Sequence, residues 1–343
     1  MKFNNPILKR VVNVYQTNYV NKLPQGFGDY LRGCYCLYQI CNALGLEFAM
    51  DLDGHPMSKF LDYYKENRVT DTSNNSIDKD KDKDTGKMTM KNQKPSWFYL
   101  LTTEKREQIE WIPNTNYIPI SQHEYSQDPE FVNQVIKLFN QQKEETFFVY
   151  CNSIPVFQDS TRNSIKLVRS YIKPSSEVMG YCFQVMKKMR LIPKYFGVIH
   201  IRTGDHMNYK GNTISYPYMN KILSNLSPFL ENKYDRMRNQ GMPTKQTFLI
   251  ISDNNSVKPY FNQYTNCVYY IKGVTHLGIS DNGDGAANDT TDESDKKLLD
   301  TLLDFYIMQH SNCIVALTPY PWGSGFSEMA ATTLCIRYKK III

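Results

Sequence analysis

From Phe196 onward the sequence repeats one physical pattern: a short apolar run, a burst of polar residues, then a helical stretch. Phe196–Ile201, Phe248–Ile251, Val268–Ile271 and Cys313–Leu317 read as strands. Tyr218–Leu226, Leu298–Met308 and Glu328–Leu334 carry apolar residues at helical spacing. Strands alternating with helices in this way predict an α/β unit built on a parallel sheet. The first half is less regular. Tyr30–Leu44 predicts a helix, and Leu46–Met50 and Phe147–Cys151 predict strands. Val178–Leu191 predicts an amphipathic helix whose last turns hold Lys187, Lys188 and Arg190, where the dipole favours cations. The break at Leu191-Ile-Pro-Lys194 sets the expected boundary between two α/β domains, 1–192 and 193–343, facing a central cleft.

Two stretches interrupt the pattern. Residues 70–95 are polar with alternating charge and read as a disordered insertion in the first domain. Residues 280–297 are acidic and rich in small residues, and read as an exposed loop. Neither has the ligand spacing of a calcium loop, so no metal site is expected in them.

Composition narrows the function classes. A hydrophobic content of 41% is enough for a packed core, which excludes global disorder. The net charge of +6, from 40 Lys+Arg against 34 Asp+Glu, admits an anionic ligand but does not suggest a nucleic-acid coat. No apolar run reaches the ~18 residues of a membrane span. The start, MKFNNPILKRVVNVYQ, lacks the pattern of a secretory signal. Eight cysteines lie mostly in apolar runs without CxxC pairs, as expected of reduced thiols in a cytoplasmic protein.

Four polar bursts carry the candidate chemistry. The first, GVIHIRTGD, ends a strand in His200, Arg202, Gly204 and Asp205. Ligands of parallel sheets bind beyond the carboxyl ends of strands, and the Arg202 guanidinium suits two phosphate oxygens. The bland alternative is a structural Arg–Asp pair. The second burst is Ser252-Asp253-Asn254-Asn255, a ligand carboxylate or simply a helix cap. The third is PWGSGFSEMAA, in which Ser324, Gly325, Phe326 and Ser327 precede a helix and can cradle an anion on free N–H groups. The fourth, LPQGFGDYLRG, has Gly26, Phe27 and Gly28 in a turn and Asp29 at a helix start, either a cap or a carboxylate in the cleft.

Taken in order, His200-Ile-Arg202-Thr-Gly204-Asp205, Ser252-Asp253, Ser324-Gly325-Phe326-Ser327 and the early 26–29 turn resemble the superfamily of GT-B fucosyltransferases that share the HxRxGD motif. That superfamily includes α1,2-, α1,6- and protein O-fucosyltransferases. The resemblance covers about 195–335 well and the first half only through 23–50. It implies two Rossmann-like domains and inverting transfer of fucose from GDP-fucose to a glycan or protein hydroxyl. It implies no metal and no cofactor besides that donor. Arg202 would bind the β-phosphate, His200 and Asp253 would hold the nucleoside, and 324–327 would frame phosphates and base. Gly26, Phe27 and Gly28 would line the acceptor side. Some relatives carry Glu or Asn in the early turn, where this chain has Gln25 and Asp29. Others take their base just after the motif, where His206 stands. Asp29 is the first candidate for the base and His206 the second.

Two other readings compete. Asp51-x-Asp53 after an apolar run has the form of a manganese-binding motif in GT-A glycosyltransferases. A non-catalytic sugar-nucleotide or glycan-binding protein would need fewer intact groups on the same scaffold.

Overall fold

The computed structural model describes residues 2–15, 26–52, 55–63, 97–101, 106–110, 129–151, 162–204, 214–230, 246–272, 291–321 and 323–343. The expectations placed on 70–95, Asp53, Asp205 and His206 lie outside the described residues. The chain divides into two compact units. One holds Met1–Gln25 and Tyr30–Ser175, the other Gly26–Asp29 and Ser176–Ile343.

In the first unit the strands are β1 (Arg10–Val14), β2 (Glu47–Asp51), β3 (Trp97–Leu101), β4 (Arg106–Glu110) and β5 (Thr146–Cys151). They form one sheet in the order β2-β1-β5-β3-β4, parallel except for the β3–β4 pair. The helices are α1 (Phe27–Leu44), whose first three residues belong to the second unit, α2 (Pro129–Asn140) and α3 (Arg162–Tyr171). Helix α1 is buried on nearly every face from Tyr30 to Cys41, as an apolar helix inside a unit must be. Strand β1 escapes a pattern search because Asn13 interrupts its apolar run. That asparagine is fully buried: its Oδ1 accepts from Cys151 N at 2.8 Å and its Nδ2 donates to Cys151 O at 3.2 Å. The side chain thus prolongs the β1–β5 ladder past the end of the backbone pairing.

The second unit contains α4 (Ser176–Lys188), β6 (Phe196–Ile201), α5 (Tyr216–Leu230), β7 (Thr247–Ser252), β8 (Cys267–Val268), α6 (Thr291–Gln309), β9 (Cys313–Thr318), α7 (Gly325–Thr333) and β10 (Arg337–Ile342). Its sheet runs β10-β9-β6-β7-β8, all parallel. Counted in chain order within the unit and read from β8, this is 3-2-1-4-5. It is the doubly wound order, with its reversal between β6 and β9. Ile199, Ile201, Ile222, Leu226, Phe248, Ile250, Phe261 and Leu317 make a core on one face of this sheet.

Several expectations need correction. The division between units falls at Ser175/Ser176, one helix before the 192/193 boundary, because α4 packs on α6. Residues 291–297 of the expected acidic loop are the start of α6, whose N-terminal turns accommodate the negative charge of Asp295. The strand expected over 268–271 shortens to Cys267–Val268, since Tyr270 and Lys272 turn away to bond Asp304 on α6. Strand β10 has no clear strand pattern in the sequence, because Lys339 and Lys340 mask it, as lysines at a sheet edge do. All eight cysteines are free thiols. Five are buried, and Cys335 is exposed.

Candidate functional site

The reversal between β6 and β9 is where a doubly wound sheet leaves room for a ligand, beyond the carboxyl ends of its strands. Three of the sequence bursts meet there. Arg202, just past β6, donates from its backbone N to Leu317 O at 2.8 Å, which ties the burst to β9. Its Nη1 donates to Asp253 Oδ2 at 2.7 Å, with the two side chains only 14% and 10% exposed. Thr203 gives Asp253 Oδ1 two more bonds, from N at 2.8 Å and Oγ1 at 2.9 Å. Ser252 donates from Oγ to Ile201 O at 2.9 Å, pinning the end of β7 to β6. The cap of the following 3-10 helix is Asn254, whose Oδ1 accepts from Ser256 N at 2.9 Å. Asp253 is therefore released from capping and orients Arg202 across two strands.

Gly204 sits at φ +98°, a backbone that disfavours any side chain, and a Cβ there would lie 3.3 Å from Pro319. The turn after Arg202 thus closes against the connection leaving β9. That connection ends in Ser324, the cap position of α7, whose hydroxyl makes no capping bond. The first-turn N–H groups of α7 consequently have no side-chain cap, which suits an anion. Ser327 is fully buried, and its hydroxyl donates to Ser324 O at 3.4 Å. Gly323, at φ +94°, leaves space that Lys340 crosses to donate to Pro321 O at 3.1 Å.

The fourth burst joins the same unit. Gly26–Asp29 cluster with it, and a Cβ on Gly28 would clash with Gly325. The starts of α1 and α7 therefore touch backbone to backbone. Phe27 packs edge-on to Phe305 at 5.3 Å, and Phe305 lies 5.4 Å from Phe326. His200 stands 6.2 Å from Phe326, buried, with Nδ1 lacking a hydrogen-bond partner among the described residues. Burial is the main cause that lowers its pKa to about 4, against the opposing field of Asp253, so the imidazole is neutral.

Beside these groups the structure holds a buried charged cluster. Lys272 Nζ pairs with Asp304 Oδ2 at 2.6 Å, Tyr270 donates its hydroxyl to the same carboxylate, and Lys258 donates to Tyr270 O at 3.0 Å. Lys258 is 1% exposed, and burial lowers its pKa to about 8. Asp304 and Lys272 contribute to the field at His200. A sequence signal existed: Asp300 and Asp304 recur one turn apart on α6, among apolar residues that a solvated face would not have. For Lys258, Lys272 and Lys340 there was none. Among the described residues no group of three or more His, Cys, Asp or Glu is placed to hold a metal ion. No described helix is long and apolar enough to cross a membrane.

The second unit is thus a doubly wound parallel sheet with an arginine and an uncapped helix start at its switch point. No family model and no curated protein matches the chain. Among solved structures, the chain is similar to the NodZ alpha-1,6-fucosyltransferase soaked with GDP-fucose, at 12% identity and a TM-score of 0.46, over 95% of this chain and 93% of that one. Similar values hold for NodZ from Bradyrhizobium, at 12% identity and a TM-score of 0.45, over 94% and 92%. POFUT1 in its apo form gives 10% identity and a TM-score of 0.45 over the whole of both chains.

Proposed function

We propose that the chain is a glycosyltransferase that moves fucose from GDP-fucose to a glycan or protein hydroxyl, with inversion and without a metal. The observation that carries this reading is the Arg202–Asp253 pair beside the uncapped start of α7. A displacement at the anomeric carbon builds negative charge on the β-phosphate of the departing diphosphate. An arginine already oriented by a buried carboxylate needs no reorganisation to meet that charge, and one such contact can contribute roughly 3 kcal/mol. The N–H groups of Gly325, Phe326 and Ser327 supply further donors. The guanine base and the fucose rest on the HxRxGD resemblance.

Asp29 is proposed to accept the proton of the acceptor hydroxyl, a contribution of about 10²–10⁴-fold. What supports it is the contact of its neighbour Gly28 with Gly325, which brings the early turn to the phosphate cradle. His206 is the second candidate. His200, Gly204, Asp205, Ser252, Ser324 and Ser327 complete the proposed donor site, joined by Gly26, Phe27 and Gly28 where it borders the acceptor side.

Thermal shift with GDP-, UDP- and dTDP-sugars, each with and without EDTA, tests the reading. GDP-fucose at a hundredfold excess over Kd should raise stability by about 2.7 kcal/mol, equally in EDTA. A shift that vanishes in EDTA and returns with Mn²⁺ would move the function to the Asp51/Asp53 alternative. Binding with no transfer to any of a broad set of acceptors would leave a sugar-nucleotide-binding protein.

A further inference from the structure

At the amino-terminal edge of the second unit's sheet, opposite the candidate site, three large apolar side chains face solvent. Ile192 is 64% exposed, Tyr195 59% and Phe183 46%. The segment that carries them is tightly tied. Helix α4 closes through Leu191 N to Met186 O at 2.9 Å and Arg190 N to Lys187 O at 3.0 Å. Such paired bonds usually place glycine in the left-handed position. Here Arg190 takes it, at φ +56°, and Lys194 repeats the conformation at φ +67°. Lys194 is anchored by N to His310 O at 2.7 Å and by Nζ to Gln309 O at 2.9 Å, and Tyr195 N returns to Ile192 O at 3.0 Å. Two left-handed residues without glycine are costly, so the surrounding bonds must enforce them. The turn they shape holds Ile192 and Pro193 exposed to solvent at its tip.

The sequence of this tip carries one sign of charge. Lys187, Lys188, Arg190 and Lys194 lie between Phe183 and Tyr195, with no carboxylate in that stretch. Phe183 and Lys187 lie four residues apart on one face of α4, and Arg190 follows just past its end. Arg337, exposed at the start of β10, adds a cation on the same edge of the sheet. Glu177, the acid of α4, lies ten residues before Lys187, about 15 Å away along the helix.

We propose that the turn 189–195 and the last turns of α4 dock on an anionic lipid surface, with Ile192 and Tyr195 entering the interface and Lys187, Lys188 and Arg190 meeting the headgroups, while the ammonium of Lys194 stays bonded to Gln309 O. A protein partner would need a complementary face of about 800 Å² on each side. A bilayer accepts a single apolar tip, and tyrosine is favoured at its interfacial level. Each lysine or arginine held at an anionic leaflet strengthens partitioning about fivefold. This surface is independent of the transferase reading, which concerns the other end of the sheet.

Sedimentation of the full chain with phosphatidylcholine vesicles, with and without phosphatidylserine, tests it. Partitioning should require phosphatidylserine and weaken as salt rises. Ile192→Ser should lower it about tenfold. Lys187→Glu with Lys188→Glu should lower it at least ~25-fold, from two cations at about fivefold each. Lys221→Glu, on the exposed face of α5, should leave it unchanged. Equal binding to both vesicles, no response to Ile192→Ser, or an equal loss with Lys221→Glu overturns the proposal. So does salt-sensitive binding to polyglutamate by a chain that ignores vesicles, which would assign the patch to an acidic polypeptide.

Discussion

Gly28 and Gly325 touch backbone to backbone. A Cβ built on Gly28 would lie 2.2 Å from the carbonyl carbon of Gly325 and 2.4 Å from Phe326 N. No side chain can yield there, because the opposing atoms belong to the first turn of α7. Two turns almost 300 residues apart in sequence are thereby held at one point, and each opens a helix.

Gly28→Ala should destabilise the chain by about 1–3 kcal/mol, the usual cost of overpacking, and should weaken GDP binding as well. Gly180→Ala is the matched control. Nothing lies within 4 Å of its built Cβ, and it sits inside α4. There the substitution should be neutral or stabilising by roughly 0.5–1 kcal/mol. Denaturant midpoints for both variants check the contrast.

Arg202→Ala should reduce transfer at least ~100-fold while far-UV circular dichroism stays that of the parent. Arg202→Lys keeps the charge but not the planar fork, and should recover only part of the rate. Asp253→Asn retains side-chain volume and should fall between them, since it removes the anion that aims the guanidinium. Turnover close to the parent in Arg202→Ala would place charge stabilisation elsewhere.

Lys272→Met should cost about 3–5 kcal/mol by leaving Asp304 buried without its cation. Adding Asp304→Leu should recover only part of that loss, because it removes the unpaired carboxylate but also takes the acceptor from the Tyr270 hydroxyl and a compensating charge from Lys258. Urea unfolding of the two single variants and the double variant measures the coupling directly. Double-variant stability no higher than that of Lys272→Met would refute the assignment.

Acid should destabilise the fold before carboxylates titrate. His200 is held neutral with a pKa near 4 and His55 with one near 3, in both cases chiefly by burial. Unfolded histidine takes its proton near pH 6.5. Between pH 6.5 and about 4 the unfolded chain therefore binds more protons, and stability falls as pH falls. The slope from each histidine approaches about 1.4 kcal/mol per pH unit. His200→Gln should remove its share of that slope, as read from unfolding free energies at pH 4.5, 5.5 and 6.5.

Much of the second unit was legible because its elements obey local rules. Phe196–Ile201 matches β6 residue for residue, and the strand that became Cys313–Thr318 was short by one. Buried parallel strands carry continuous apolar runs that show in a single sequence. Strand β1 did not show, since its Asn13 is polar yet buried by bonds to Cys151, a partner 138 residues away. Local pattern also failed at 268–271, where Tyr270 and Lys272 follow Asp304 and not the sheet.

The candidate site divides along the same line. Residue type and strand position marked Arg202, Asp253 and Ser324 as the chemistry of strand ends, because polar groups after apolar runs lie where a parallel sheet opens to ligand. Pairing was decided only by tertiary structure. Asp253 could cap its own helix or reach Arg202, and the choice fell to Asn254 taking the cap while Thr203 and Arg202 closed on the carboxylate. The sequence determined which groups stand at the strand ends, through periodicity and hydrophobic burial. Strand order in the sheet decided which of them meet, since 3-2-1-4-5 sets β6 between β7 and β9 and brings three distant turns to one edge.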